Sequence, residues 1–133
     1  MSLNQEIITA ISTPSGKGAI AVVRISGEGS IELVQSIFKG KDLTRQQSHT
    51  IHYGRIVDGQ EVLDEVMVSI FRKPKSFTTE DLVEVSCHGS PFVAEKIIQL
   101  LLKKGARLAN PGEFTLRAFI NGRIDLKIGR AHV

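Results

Sequence analysis

The sequence predicts an α+β domain, with a mixed β-sheet and helices packed on one side of it. Extended and helical segments follow one another irregularly along the 133 residues, and an Asp58-Gly59 pair separates two long β-like runs. The predicted order is strand, strand, helix, hairpin, strand, helix, strand, helix, which differs from the regular alternation of a doubly wound nucleotide-binding fold. A hydrophobic share of 41% with 23% charged residues is sufficient for one globular core.

Two strands and a helix are predicted in the first 40 residues. β-Branched residues are dense at 6–13 and again at 19–26, and residues 13–18 between them contain the Pro and Gly of a turn. Ser30 is a suitable N-cap for a helix that runs through Phe38.

The middle of the chain predicts a hairpin and a further strand. Residues 51–57 and 61–71 flank Asp58-Gly59, a pair that tolerates the positive φ of tight hairpin turns. Residues 81–87 form the next strand, in which alternate side chains point to opposite faces. Glu84 then shares a face with Leu82 and Ser86, opposite the apolar set Val83, Val85 and Cys87.

The clearest helix signal covers residues 91–104. Ser90 is the predicted N-cap, Pro91 lies in the first turn and Gly105 follows the last turn as a C-cap. A short strand at 107–109 and a helix at 114–120 complete the prediction.

Composition excludes several classes of protein. The formal net charge is +3 and no run of Lys or Arg marks a nucleic-acid arm. The single cysteine, Cys87, excludes an intrachain disulfide, which favours a cytoplasmic protein. No apolar stretch of about 18 residues predicts a membrane span.

Two short motifs carry no chemistry on their own. Gly16-Lys17-Gly18 lacks the spacing and the Ser or Thr of a phosphate-binding loop, so we interpret it as a turn between strands. Cys87 and His88 are adjacent on a strand and point to opposite faces, so they do not form a nucleophile and base pair. No His or Cys spacing predicts a metal site, and Cys87 is interpreted as a small buried residue.

Arg24 and Glu84 each interrupt an apolar strand, and three interpretations stay open. They could be solvated side chains, they could pair with each other, or they could line a ligand pocket. In the third case Glu84 would accept the two donors at the edge of a pterin ring, and Arg24 or Arg123 would hold a ligand carboxylate through the guanidinium fork.

Four segments resemble the N-terminal domain of the tRNA modification GTPase family called MnmE or TrmE. Several uncommon clusters occur in one order, and the resemblance covers about residues 4–126. The segments are 11–20 together with Val-Arg-Ile-Ser-Gly at 23–27, Ser-Phe-Thr-Thr-Glu-Asp at 76–81, Val-Glu-Val-Ser-Cys-His-Gly at 83–89, and Asn-Pro-Gly-Glu-Phe-Thr-Leu-Arg-Ala-Phe-Ile-Asn-Gly-Arg-Ile-Asp-Leu at 110–126.

The resemblance implies a fold similar to the tetrahydrofolate-binding module of aminomethyltransferases. It also implies a homodimer that binds a 5-formyl-tetrahydrofolate-type one-carbon donor near the dimer interface. The family's folate contacts fall on Arg24, Glu84 and Arg123 of this sequence, the last of which is often Lys in relatives.

Other parts of the implied system lie outside these residues. Full-length relatives add a G domain that uses GTP, Mg and K, so no GTP hydrolysis is expected of these residues alone. They act with an FAD-containing partner on carbon 5 of the wobble uridine of certain tRNAs. We expect residues 1–126 to form the domain, residues 1–3 to be an added start, and residues 127–133 to be a truncation point or a vector-derived tail.

Two alternatives accompany this interpretation. The first is a pure dimerisation module whose motifs preserve the fold without binding folate. The second is a separate aminomethyltransferase-like enzyme, which is disfavoured because the chain is short and offers no catalytic acid that could be placed.

Overall fold

The computed structural model describes residues 6–13, 19–122, 124–125 and 130–131. The strands are β1 Ile8–Ile11, β2 Ile20–Ser26, β3 Phe38–Lys39, β4 Thr50–Asp58, β5 Glu61–Phe71, β6 Leu82–His88, β7 Arg107–Leu108, β8 Ile124–Asp125 and β9 Arg130–Ala131. The helices are α1 Ser30–Gln35, α2 Pro91–Lys103 and α3 Glu113–Ile120, with a 3₁₀ turn at Leu43–Arg45.

Seven strands form one sheet in the order β3-β4-β5-β6-β2-β1-β7. β1 is antiparallel to β2 but parallel to β7, and the remaining neighbours are antiparallel. The sheet is therefore mixed, which confirms the predicted α+β class. None of the helices among the described residues is long and apolar enough to cross a membrane.

The predicted hairpin is present. β4 and β5 pair from Thr50↔Ile70 to Asp58↔Glu61, so residues 59 and 60 form the turn. Gly59 has φ +61, a backbone conformation that costs free energy for a residue with a side chain.

The core lies between the sheet and helices α1 and α2. Val83, Val85 and Cys87 of β6 are buried, and Glu84 and Ser86 between them are half-buried, as the alternation of the strand predicts. α2 contributes Ala94, Ile97, Ile98, Leu100 and Leu101 to this core. Its N-cap is Ser90 as predicted, although the Ser90 side chain makes no capping hydrogen bond.

The predicted helix at 30–38 is too long. α1 ends at Gln35, and Phe38 begins the short edge strand β3 instead. Phe38 is 5% exposed, and its ring lies against the backbone of Gly40 and Gly54, where any Cβ would overlap it. Burial of this ring against β4 outweighs the helical periodicity, because an aromatic side chain gains much by burial.

The prediction that all helices lie on one side of the sheet is wrong for α3. Val23 and Ile25 of β2 face the α1 and α2 core, so Arg24 between them faces the opposite side. Phe114 of α3 lies against Arg24 on that side. α3 therefore covers part of the second face, and among the described residues the rest of that face carries no helix.

Candidate functional site

Arg24 and Glu84 form an ion pair across two neighbouring strands. β2 and β6 are antiparallel, and their register places these two residues directly opposite one another. Nε and Nη2 of Arg24 donate to Oε2 of Glu84 at 3.1 and 2.9 Å, and each side chain is about one quarter exposed, at 25% and 27%. Of the three interpretations left open by the sequence, pairing describes the contact between these two side chains.

Two phenylalanine rings flank the guanidinium of Arg24. Its Cζ lies 5.6 Å from the ring centroid of Phe77 and 5.4 Å from that of Phe114. Both distances are within the range of about 6 Å over which a cation is attracted to an aromatic face. Phe77 belongs to the loop before β6 and Phe114 to the first turn of α3, so two separate segments meet at Arg24.

A cavity of about 430 Å³ opens beside this cluster. Arg24, Phe77 and Phe114 line it. Residues 10–12, which include the end of β1, and the loop 109–112 before α3 also line it. This volume lies in the range of small-molecule sites. Glu84 is not among its lining residues and holds Arg24 from the side away from β1.

The structure brings together two of the three predicted site residues. Arg24 contacts the cavity directly, and Glu84 contacts Arg24. Arg123 lies outside the described residues. Its proposed contact with a ligand therefore stays a prediction.

Sequence reasoning missed the two rings as site residues. Phe77 and Phe114 lie in the polar segments Ser-Phe-Thr-Thr-Glu-Asp and Asn-Pro-Gly-Glu-Phe-Thr, both of which belong to the segments that carry the family resemblance. The available signal was a single aromatic residue within each of these otherwise polar segments. Their approach to Arg24 depends on tertiary structure.

A buried polar network fixes the loop that carries Phe77. Oγ of Ser26 and Oγ1 of Thr78 are 2.6 Å apart, and Ser26 also donates to Oε1 of Glu80 at 2.8 Å. Nη1 of Arg117 lies 3.2 Å from both oxygens of Glu80. Nδ2 of Asn121 donates to the carbonyl oxygen of Thr78 at 2.8 Å. The loop and α3 are thus held together by residues that flank both rings.

A second ion pair fixes the start of α3. Nη1 and Nη2 of Arg107 donate to the two carboxylate oxygens of Glu113 at 3.0 and 2.6 Å. This bidentate contact, aided by a hydrogen bond from the backbone N–H of Asn110, lowers the pKa of Glu113. Glu113 consequently stays ionised and anchors the residue next to Phe114.

Cys87 and His88 occupy opposite sides of β6, as predicted. Cys87 is 3% exposed, and burial raises the pKa of its thiol to about 11. Nδ1 of the exposed His88 lies 2.7 Å from Oδ1 of Asp64. Within the residues that the structure describes, no group of His, Cys, Asp and Glu side chains is arranged to hold a metal ion.

The sequence of this chain matches a known protein family. The family model described as "GTP-binding protein TrmE N-terminus" matches residues 7–123, a range that contains Arg24, Glu84 and both rings. The chain belongs to the TrmE N-terminal family. This match confirms the resemblance noted in the sequence.

Three relatives of this TrmE N-terminal family member are each named tRNA modification GTPase MnmE. The protein of Bacillus cytotoxicus is 62% identical over 128 residues, which cover 95% of this chain and 28% of that protein. The protein of Lactococcus lactis subsp. lactis is 59% identical over 128 residues, with the same coverage of 95% and 28%. That of Flavobacterium johnsoniae is 55% identical over 132 residues, covering 97% and 28%. The chain spans 28% of the length of these relatives.

Proposed function

We propose that this chain is the folate-binding and dimer-forming part of a cytoplasmic tRNA modification GTPase. The ligand is a 5-formyl-tetrahydrofolate-type one-carbon donor, and the whole protein takes part in carboxymethylaminomethyl-type modification of carbon 5 of the wobble uridine. The observation that carries the ligand proposal is the 430 Å³ cavity lined by Arg24, Phe77 and Phe114.

The chemistry of the cavity suits a reduced folate. Such a ligand combines flat pyrimidine and benzoyl rings with carboxylates, and the cavity is lined by two phenylalanine side chains and a guanidinium. Among the described residues, the hydrogen bonds of Arg24 use Nε and Nη2, so Nη1 is available to a ligand acceptor. Oε1 of Glu84 is likewise outside the pair with Arg24. Because Glu84 does not line the cavity, its proposed contact with a ring donor requires the ligand to reach past Arg24 toward β6.

An apolar, open part of the sheet supports the homodimer. Ile51 and Tyr53 of β4, Met67 of β5 and Ile20 of β2 are 61%, 57%, 44% and 62% exposed. The register places Tyr53 opposite Met67, and Met67 opposite Ser86, on the face that also carries Arg24. Exposed apolar side chains that cluster on one face are typical of protein interfaces.

The remaining partners belong to the whole protein. GTP with Mg and K would bind a G domain that is encoded outside these residues, and an FAD-containing protein would act with it on tRNA. The GTP and tRNA parts of this proposal rest on the relatives, which are named tRNA modification GTPase MnmE and are 55–62% identical. The Mg and K ions and the FAD-containing partner rest on the family resemblance of the sequence alone.

Calorimetric titration of 5-formyl-tetrahydrofolate into the purified chain tests the ligand proposal. Saturable binding is expected, and Arg24→Ala and Glu84→Ala should each weaken it by about tenfold or more, because each removes a charged hydrogen-bonding group. Arg45→Ala is the matched control, since Arg45 is 84% exposed on the 3₁₀ turn. An absence of binding at millimolar ligand would exclude the folate proposal.

Sedimentation equilibrium tests the dimer separately. The chain should sediment as a dimer, and Met67→Lys should shift it toward the monomer because a charge would be buried in the interface. Phe92→Lys serves as the control on the far side of the molecule, where Phe92 of α2 is 67% exposed. A dimer without any folate response would favour the alternative of a pure dimerisation module.

A further inference from the structure

We infer that Ser26, Thr78, Glu80 and Arg117 are positioning residues, which set the ligand affinity of the 430 Å³ cavity although none of them lines it. This inference rests on the proposed folate function and extends it from the cavity to the buried network behind it. The network is expected to hold three separate elements in the relative positions that the ligand requires.

Each of these elements contributes one residue to the cavity and at least one residue to the network. The pairs, with the lining residue first, are Arg24 and Ser26 on β2, Phe77 and Thr78 in the loop before β6, and Phe114 and Arg117 on α3. The members of a pair are at most three positions apart in the chain. A shift of any network residue is therefore transmitted to a lining residue through a short piece of backbone.

The hydrogen bonds of the network form a chain with one direction. Ser26 donates its single hydroxyl hydrogen to Oε1 of Glu80 at 2.8 Å. In the 2.6 Å contact between the hydroxyls of Thr78 and Ser26, the donor is therefore Thr78. Nη1 of Arg117 approaches the same carboxylate from α3, at 3.2 Å from both oxygens. Because hydrogen bonds in such a chain polarise one another, the loss of one link weakens the others.

The burial of this network favours a role in geometry over a role in stability. Ser26 and Thr78 are 0% exposed, Arg117 is 1% exposed and Glu80 is 8% exposed. Removing a charged pair from water carries a desolvation cost, and well-packed apolar side chains in its place often stabilise a domain equally well or better. A fully connected polar network instead specifies one arrangement of the elements that it joins.

The backbone of Thr79 supports this interpretation. Thr79 lies between Thr78 and Glu80 and has φ +64, a left-handed conformation that is unfavourable for a β-branched residue. Such a conformation persists only where the surrounding structure fixes it. The network thus holds the loop that carries Phe77 in a conformation that the sequence of the loop disfavours.

Two substitutions of Thr78 separate hydrogen bonding from packing. Thr78→Val keeps the shape and removes the hydroxyl, so it should weaken the binding of 5-formyl-tetrahydrofolate by about threefold to tenfold in a calorimetric titration. Thr78→Ser keeps the hydroxyl and removes a methyl group, so its affinity should stay within about twofold of the parent value. A purely structural role predicts the reverse order, because the loss of a buried methyl group leaves a cavity.

A double variant replaces the buried charges together. Glu80→Leu combined with Arg117→Met should leave the urea midpoint of unfolding nearly unchanged, because an apolar pair can replace a buried ion pair. It should nevertheless weaken the binding of 5-formyl-tetrahydrofolate by about tenfold or more, because the loop and α3 lose their fixed relation. The matched control is Glu61→Leu with Lys96→Met, at an exposed ion pair of 3.5 Å that involves α2, and it should change neither quantity.

The outcomes are distinct. If the parent binds 5-formyl-tetrahydrofolate and both Thr78→Val and the double variant bind it equally well, the positioning role is overturned while the proposed function stands. A larger loss of affinity for Thr78→Ser than for Thr78→Val also overturns the positioning role. If circular dichroism shows that the double variant is unfolded, the two Thr78 variants decide the question. Failure of the parent to bind 5-formyl-tetrahydrofolate overturns the proposed function and this inference together.

Discussion

Nη1 of Arg117 lies 3.2 Å from both carboxylate oxygens of Glu80, and the two side chains are only 1% and 9% exposed. Arg117 belongs to α3 and Glu80 to the loop that carries Phe77. This pair therefore joins the two segments that place aromatic rings beside Arg24. Within the described part of the chain, Nε and Nη2 of Arg117 make no hydrogen bond, and Nη2 lies 3.7 Å from Oε2 of Glu113, so Glu80 is the hydrogen-bonding partner of the guanidinium and Glu113 a second, more distant counter-charge.

Replacing Arg117 should destabilise the domain severely. Arg117→Met leaves the Glu80 carboxylate buried without its counter-charge, and removal of one partner from a buried pair costs about 3–5 kcal/mol. Urea unfolding followed by circular dichroism measures the free energy of unfolding. Arg45→Met, at a residue that is 84% exposed, should change it by less than about 0.5 kcal/mol. Equal effects of the two substitutions would contradict this role for the pair.

Gly54 is expected to tolerate no side chain. A Cβ at this position would lie 2.5 Å from the carbonyl oxygen of Lys39 and would overlap the ring of Phe38. Gly54→Ala should lower the free energy of unfolding by about 2 kcal/mol through overpacking. In a Phe38→Leu background the loss should shrink by at least about 0.5 kcal/mol, because part of the overlap is with the ring. A loss that is identical in both backgrounds would assign the clash to the Lys39 backbone instead.

Glu113 should contribute stability that depends on pH. Its hydrogen bonds from Arg107 lower the pKa of the folded state below the ordinary value of 4.5. Because the pKa of Glu113 is lower in the folded than in the unfolded protein, its ionised carboxylate stabilises the fold fully at pH values above the unfolded pKa. This stabilisation is lost as the pH falls through the pKa of the folded state. Glu113→Gln should therefore cost about 1 kcal/mol at pH 7 and progressively less below pH 4.5. Denaturant titrations across this range measure the difference.

The exposed Glu28 supplies the control for this prediction. Glu28→Gln should leave the stability nearly unchanged across the same pH range, since no ion pair of Glu28 occurs among the described residues. A Glu113→Gln penalty that stays constant down to pH 3 would show that the effect is not one of ionisation.

Cys87 should be nearly inert in the folded protein. Burial raises the pKa of its thiol from 9.0 to about 11, so the reactive thiolate at pH 8 is about one hundredth as abundant as in the unfolded chain. Labelling with a small thiol reagent should be at least about a hundredfold slower in buffer than in denaturant. Native labelling within tenfold of the denatured rate would mean that β6 opens readily.

Much of the fold could be predicted because its signals are local. The hairpin depended on Asp58-Gly59, and α2 on its apolar periodicity between Ser90 and Gly105. β3 could not be predicted, since two residues carry no periodicity and Phe38 is extended through contacts with a distant strand. Local sequence signals also could not predict which face of the sheet α3 covers, because that depends on the packing of α3 at Arg24.

The candidate site was predicted less completely than the fold. Arg24 and Glu84 were identifiable as charges within apolar strands, but their pairing depends on the register of β2 with β6. Phe77 and Phe114 are 37 positions apart in the chain and neither has a distinguishing periodicity. Only the three-dimensional arrangement shows that both reach the same guanidinium.

The place of β1 between β2 and β7 has a consequence for biosynthesis. Ile8 pairs with Arg107 and Thr9 with Leu108, so one edge of the sheet stays open until about one hundred further residues have left the ribosome. The loop 109–112 and α3, which complete the cavity, follow β7 directly. A nascent chain can thus assemble its hairpin and central strands early, whereas the cavity is completed only after residues 109–120 have been translated.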